Sequence, residues 1–515
     1  MSSKKYRYIF IIWLCILAVA VVRKAFQNDT FYTIKIGELI INDGIDMMDH
    51  FSIHTLPYTY PHWLYDVFIY GIFKLGGYTG IYISTLILFI ILLLFGYKLN
   101  RQICHNELMA GFTSFICVLA ISSFITARAQ LVSYILFLME IYFIESFLEK
   151  GDKKKLIGLV LISLLLCNMH VAVWPFYFIL YLPYLAEYII SKLSKKIKIK
   201  KENKFTKYLK EQIVLEENPN IKYLFITMLI SILTGLLTPL GDTPYTYLFK
   251  TMMGNSQKYI QEHQMMDWKS SPFTLIIAGE TIFLAFFSKV KLRDLFMICG
   301  LILMNFVSIR HMALLALIGT VCFGRIFAMF IEKYKFKTEI ISNILKKRIT
   351  IISSFIFVIA ISFILFKVTN NNGYINEKVF PVEATKYIKE NIDIDNMRLY
   401  NDYNFGSYLI MNDIPVFIDS RADLYTKPFS GLDYDILDDY EFMPLNYTER
   451  FRFYQISHAL IYKEDGSLND LLKNDTNYKL LYEDDTFALY EKLQDSLYDI
   501  SYENGVSFSL KPKIK

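Results

Sequence analysis

Apolar residues come in runs separated by short polar turns. Eleven runs, near 8–22, 78–97, 109–125, 131–148, 156–168, 171–190, 223–238, 272–288, 294–309, 312–331 and 349–367, predict membrane-spanning helices, since about 20 apolar residues in a helix cover the ~30 Å hydrocarbon core of a bilayer. Between the first two runs the pattern changes. DTFYTIKIGELIINDG has apolar residues at 31, 34, 36, 39 and 40 with Lys35 and Glu38 between them, the spacing of an amphipathic helix lying at the membrane surface. Asp29 stands where an N-cap would; Asp43, Gly44 and Asp46 then make a turn, and PHWLYDVFIYGIFK at 61–74 is a second amphipathic stretch. After 367 the period changes again. PVEATKYIKENI, opened by Pro381, and NFGSYLIMND read as helices; MRLYND, PVFIDSR, HALIYK, YKLLYE and FALYEK read as strands, the last two joined around Asp484 and Asp485. The expected fold is a polytopic α-helical membrane domain over 1–367, with about 11 spans, followed by a small soluble α/β domain over 368–515.

Loop charge sets the orientation. Lys98 and Arg101, EKGDKKK at 149–155, SKLSKKIKIKKENK at 191–204, SKVKLR at 288–293, and EKYKFK at 332–337 with KKR at 346–348 fall in alternate loops. With Lys4, Lys5 and Arg7 they place the N-terminus in the cytoplasm, and an odd number of spans sends the acidic tail outside. The opening segment has no small-residue cleavage site before Arg23 and Lys24, so it reads as a retained first span rather than a signal peptide. At 54% hydrophobic and 20% charged residues, the chain falls in the membrane class, and no nucleic-acid partner is expected. Richness in Ile, Lys, Asn and Tyr is the bias of an AT-rich bacterium, so the expected location is a bacterial cell membrane. The six cysteines show neither a metal-ligand spacing nor a disulfide framework.

The expected outer segments are 23–77, the TARAQ turn at 126–130, the NMH turn at 168–170, 239–271, the SIRH turn at 308–311 and the tail. Seven of the eight histidines fall in them, all but His105. Histidine plays no part in positive-inside sorting at neutral pH, so this bias is independent of the charges that set the topology. Asp49 and His50, followed by His54, sit in the first outer segment beside an interface-anchoring cluster of Pro57, Tyr58, Tyr60, Pro61 and Trp63. Arg128 and Gln130, Asn168 and His170, and Arg310 and His311 occupy turns between apolar spans, where a polar or charged group is costly unless it is paired or reaches the headgroups. Two outward arginines are what a phosphate or pyrophosphate group requires. Asp267, in the 239–271 segment, is a candidate acid/base or metal partner, with a solvated loop carboxylate as the plainer reading. Capping is the plainer reading of Asp29, and a salt-bridged turn that of Asp419, Arg421 and Asp423.

Asp29 just past the first span, then GELIINDG, MDHFS and WLYD, resemble the start of the C-type (GT-C) membrane glycosyltransferases. NMHVAVWPF, LTPLGDTPYTYLF, SIRHMALL and NFGSYLIMNDIPVFIDSRADLY resemble a bacterial branch of that superfamily. The resemblance implies a polyprenyl-phosphate sugar donor, with its lipid between the spans and its sugar phosphate at the outer surface, and a glycan, lipid or protein acceptor. It also implies a carboxylate in the first outer loop that serves as catalytic base or helps bind a divalent metal such as Mg or Mn. The matching position is Asp29; where the family often has a second acid directly after it, this chain has Thr30, which raises Asp49 as partner or substitute. Asp29 or Asp49 would then be the base, Arg128 and Arg310 the phosphate clamps, and His170 an orienting donor. His50, His54, Gln130, Asn168, Asp267 and His311 complete the expected substrate contacts. A lipid-linked glycan transporter or flippase, an oligosaccharide polymerase or ligase, and a non-catalytic envelope assembly protein are the alternatives.

Overall fold

The computed structural model describes residues 3–196, 207–208, 211–266, 272–334, 348–370, 373–464 and 466–493. The bundle begins with α1 (Ser3–Val21), α2 (Asn28–Asp43), α3 (Trp63–Cys104), α4 (Glu107–Ile121), α5 (Ala129–Lys150), α6 (Lys154–Met169) and α7 (Trp174–Lys196). Each of the eleven apolar runs is helical, but among the described residues five helices, not eleven, are long and apolar enough to cross a bilayer by themselves. They are Trp63–Cys104, Glu107–Phe124, Ala129–Lys150, Val171–Lys195 and Ile309–Lys333. Of the others, α6 and the helix Leu292–Val307 have 16 residues each, about 24 Å at 1.5 Å per residue. Composition fixes that a run is helical but not where its hydrogen-bond ladder stops.

The 61–74 stretch and the 78–97 span are two helical arms that meet at a kink. α3 runs for 42 residues and bends at Gly77, whose φ of 56° and ψ of −149° depart from helical geometry and suit a residue without Cβ. α2 is not a surface helix. Phe31, Ile34 and Ile36 are buried, and a Cβ on Gly37 would lie 2.1 Å from the Asp66 carbonyl oxygen, so α2 lies against the backbone of α3. The tail covers α2 from the other side: the helix Gly406–Met411 packs on it and Lys35 pairs with Asp413 at 2.6 Å. Its N-cap is Gln27, and Asp29 stands inside the first turn with its carboxylate free of the helix backbone.

The tail holds a four-stranded mixed sheet. After a short parallel pair in the membrane domain, β1 (Ile213–Val214) and β2 (Val290–Lys291), come β3 (Leu399–Asn401), β4 (His458–Tyr462), β5 (Tyr478–Glu483) and β6 (Phe487–Lys492), in the order β3-β4-β6-β5. β3 and β4 are parallel and the other pairings antiparallel. PVFIDSR, expected as a strand, does not join this sheet. Val416 exchanges backbone hydrogen bonds with Phe51 and Ile53 of the first loop, and the Asn401 side chain holds Phe417 N and Ile418 O. The two Val416 bonds to the first loop tie the tail to the membrane domain.

At the Lys150 end of α5, buried charges pair across the bundle. Arg325 meets Glu145 at 2.7 Å and Asp294 at 3.1 Å, and Arg293 meets Glu187 at 3.0 Å and Glu216 at 2.6 Å. Such pairs add little net stability but are costly to break singly. The cavity lies at the other end of α5.

Candidate active site

A cavity of about 680 Å³ opens between the helix ends and the tail. Asp29 and Tyr32, three apart on α2 and hence on one face, form one wall. Opposite them, Arg128 holds the extended N-cap position of α5. Its Nη2 lies 2.5 Å from Asp29 Oδ2 and its Nη1 3.6 Å from Glu262 Oε2. Burial alone would lower the Arg128 pKa, but Asp29 and Glu262 carry it above its ordinary value. Arg310, from the 308–311 turn, donates through Nη1 to His263 Nε2 at 2.8 Å. His263 is thereby neutral, with its proton on Nδ1, which meets Ser256 Oγ at 3.1 Å. Burial, reinforced by Arg310 and Arg128, lowers its pKa to about 3. Gln130, His170 and His311 complete this side; His170 Nδ1 meets Ser133 Oγ at 2.9 Å and His311 Nδ1 meets the Met304 carbonyl at 2.9 Å.

Behind Asp29 stands a buried chain of hydrogen bonds that sequence reasoning missed. His62 Nδ1 lies 2.6 Å from Asp66 Oδ1, and His62 Nε2 lies 3.0 Å from the Tyr32 hydroxyl. With Nδ1–H donated to the carboxylate, Nε2 accepts from Tyr32. The signal available was the i,i+4 spacing of His62 and Asp66. The tail supplies Tyr403, Ser420, Arg421 and Asp423 to the cavity. Tyr247 donates to Asp423 Oδ2 at 2.8 Å, and burial pushes the Asp423 carboxyl up. Asn28 Nδ2 donates to the Tyr403 carbonyl at 2.8 Å, tying the start of α2 to the tail beside Asp29.

No family model and no curated protein matches the sequence. Solved structures do match the fold. The oligosaccharyltransferase of Archaeoglobus fulgidus in the apo form superimposes with a TM-score of 0.57 over 89% of this chain and 70% of that one, at 11% identity. The AglB oligosaccharyltransferase of the same organism, in complex with an inhibitory peptide and a dolichol-phosphate, gives 0.54 over 97% and 75%, also at 11% identity. The enzyme tethered to an acceptor peptide containing the NVT sequon gives 0.55 over 96% and 74%, again at 11%. This chain has the GT-C-like fold of an archaeal oligosaccharyltransferase. At this identity the likeness establishes the fold alone.

Within this GT-C-like fold Asp29, Arg128, Gln130, His170, Arg310 and His311 share the cavity, and Asp49, His50, His54 and Asn168 do not line it. Asp49 is buried beneath the tail, accepting from Ser52 N at 3.0 Å and pairing with Arg421 at 2.6 Å. Burial raises its pKa, but Arg421 and Ser52 outweigh burial and hold it below the usual carboxylate range. His50 pairs with Asp46 on the exposed surface. Asn168 accepts from Trp63 Nε1 and donates to the Leu164 and Leu237 carbonyls, as a helix-packing residue does. Asp267 lies outside the described residues. His54 donates Nε2–H to the Phe417 carbonyl at 2.8 Å, and burial lowers its pKa to about 4. Its neutral form is the one the fold holds, so its contribution is complete above the unfolded value of roughly 6.5 and is lost as the pH falls towards 4. Denaturation midpoints measured across that window should fall with pH, and His54→Gln, which keeps a donor but cannot titrate, should flatten the fall.

A divalent metal held by Asp29 and Asp49 does not fit these residues. Asp49 does not line the cavity and is engaged with Arg421, and among the described residues no three His, Cys, Asp or Glu side chains converge as ligands.

Proposed function

We propose that the protein transfers a sugar from a polyprenyl-phosphate-linked donor to an extracytoplasmic glycan, lipid or protein acceptor, at the outer face of a bacterial cell membrane. The observation that carries this reading is the meeting of Asp29, Arg128 and Arg310 in one cavity at the helix ends, beneath the acidic tail. In this orientation the N-terminus and basic loops are cytoplasmic and the tail is outside. The donor phosphate lies between Arg128 and Arg310. As it draws on Arg128, Asp29 is released from its 2.5 Å pair to take the acceptor hydroxyl proton. The acceptor oxygen bonds to the anomeric carbon while the carbon–oxygen bond to phosphate breaks, and the electron pair leaves with the polyprenyl phosphate. Two guanidinium groups stabilise that departing charge. The solved complex of the archaeal enzyme with dolichol-phosphate supports the reading, because dolichol-phosphate is itself a polyprenyl phosphate. A transporter would need an opening at the opposite end, where the Glu145–Arg325 and Glu187–Arg293 pairs are buried.

The test is release of polyprenyl phosphate by the purified protein from a panel of polyprenyl-phosphate sugars offered with mixed acceptors; no release across the panel would sink the proposal. Arg310→Ala, measured in the same assay, is expected to raise the donor KM about 10- to 100-fold, the worth of a charge-assisted hydrogen bond of about 1.5–3 kcal/mol.

A further inference from the structure

We infer that Arg128 is the resident cation of the cavity, holding the place between Asp29 and Glu262 that a divalent metal would take, so that the site works without a bound metal. Three separate stretches converge there: the first turn of α2, the N-cap of α5 and the 259–263 segment. Each brings one charged group. The guanidinium reaches Asp29 Oδ2 at 2.5 Å and Glu262 Oε2 at 3.6 Å, and Gln27 Oε1 stands 3.5 Å from Nη1. A Mg ion bound to Asp29 Oδ2 at about 2.1 Å would sit within ~4.6 Å of Arg128 Nη2, facing a like charge across one oxygen. It would also have to draw both carboxylates off the guanidinium to build its oxygen shell. The imidazole next to Glu262 in the chain offers no lone pair, because His263 Nε2 already accepts from Arg310 and its Nδ1 is turned to Ser256. The proposal rests on the functional reading only for the identity of the anion that draws on Arg128. The cation's placement is independent of it.

The experiment is a Mn²⁺ titration of the EDTA-treated full-length protein in detergent, followed by electron paramagnetic resonance, on the wild type, Asp29→Asn and Arg128→Gln. The expected result is that the wild type binds no more Mn²⁺ than Asp29→Asn does, and that EDTA leaves its melting temperature unchanged. Removing the guanidinium is expected to create a Mn²⁺ site: a saturable signal in Arg128→Gln that the added Asp29→Asn substitution removes. A saturable Mn²⁺ signal in the wild type that Asp29→Asn abolishes would overturn the inference. No donor enters the titration. A protein inactive on every polyprenyl-phosphate sugar that also binds no Mn²⁺ would lose the functional reading and keep this one, while an active protein with an Asp29-dependent Mn²⁺ site would do the reverse.

Discussion

Asp29→Asn is expected to lower turnover about 10²- to 10⁴-fold, the range that a positioned general base contributes, while leaving donor binding almost intact. Asparagine keeps the size of the side chain and can still accept a hydrogen bond from Arg128, which the aspartate meets at 2.5 Å. What it loses is the capacity to take a proton. If Asp29 acts on the acceptor hydroxyl, the loss falls on kcat and on single-turnover release of polyprenyl phosphate, and the donor KM moves little. If its work were only to hold Arg128 in place, the donor KM would rise and kcat would be largely retained. Single-turnover and steady-state measurements on Asp29→Asn and Arg128→Gln separate the two, because the arginine variant should show the KM effect.

How much of this was written in the sequence can be argued residue by residue. The apolar runs foretold helices because burial of a continuous apolar face needs nothing beyond local periodicity. Arg128 and Arg310 stood out because they break the positive-inside pattern, and they line the same cavity. The break at Gly77 falls between the 61–74 stretch and the 78–97 run that hydropathy separated, but the φ of 56° there is not legible from apolarity. Nor could hydropathy tell a helix on lipid from one roofed by protein: α2 has the pattern of the first and the surroundings of the second, because the tail that covers it lies more than 350 residues away. Asp49 failed as a cavity residue for the same reason. Its partner is separated from it by 372 residues, and no local rule selects Arg421 over water. The Tyr32–His62–Asp66 chain was half visible, in the spacing of His62 and Asp66, but Tyr32 joins it through the packing of α2 against α3.

Arg421→Ala is expected to cost about 3–5 kcal/mol, the usual penalty for removing one partner of a buried ion pair, and to loosen the tail from the membrane domain. The guanidinium is almost wholly enclosed. It meets Asp49 at 2.6 Å, Asp419 Oδ2 at 2.7 Å and Asp419 Oδ1 through Nε at 2.9 Å, and lies over the Tyr58 ring at 5.0 Å. Alanine would leave two buried carboxylates facing each other with no cation between them, and a cavity where the side chain had packed. Asp49→Asn, which removes one charge and keeps the shape, should cost less, and the double variant should cost less than the sum of the two. The acid limb of the wild type carries the same information. The folded pKa of Asp49 is depressed, so its stabilisation is present above the unfolded value of roughly 4 and is lost as the pH falls through the lower folded value. Limited proteolysis of the full-length protein across that range, read at the junction of bundle and tail, should show early release of the tail in Arg421→Ala even at neutral pH. If tail and bundle instead resisted protease equally in the variant and the wild type, the pair would not be what holds the two together.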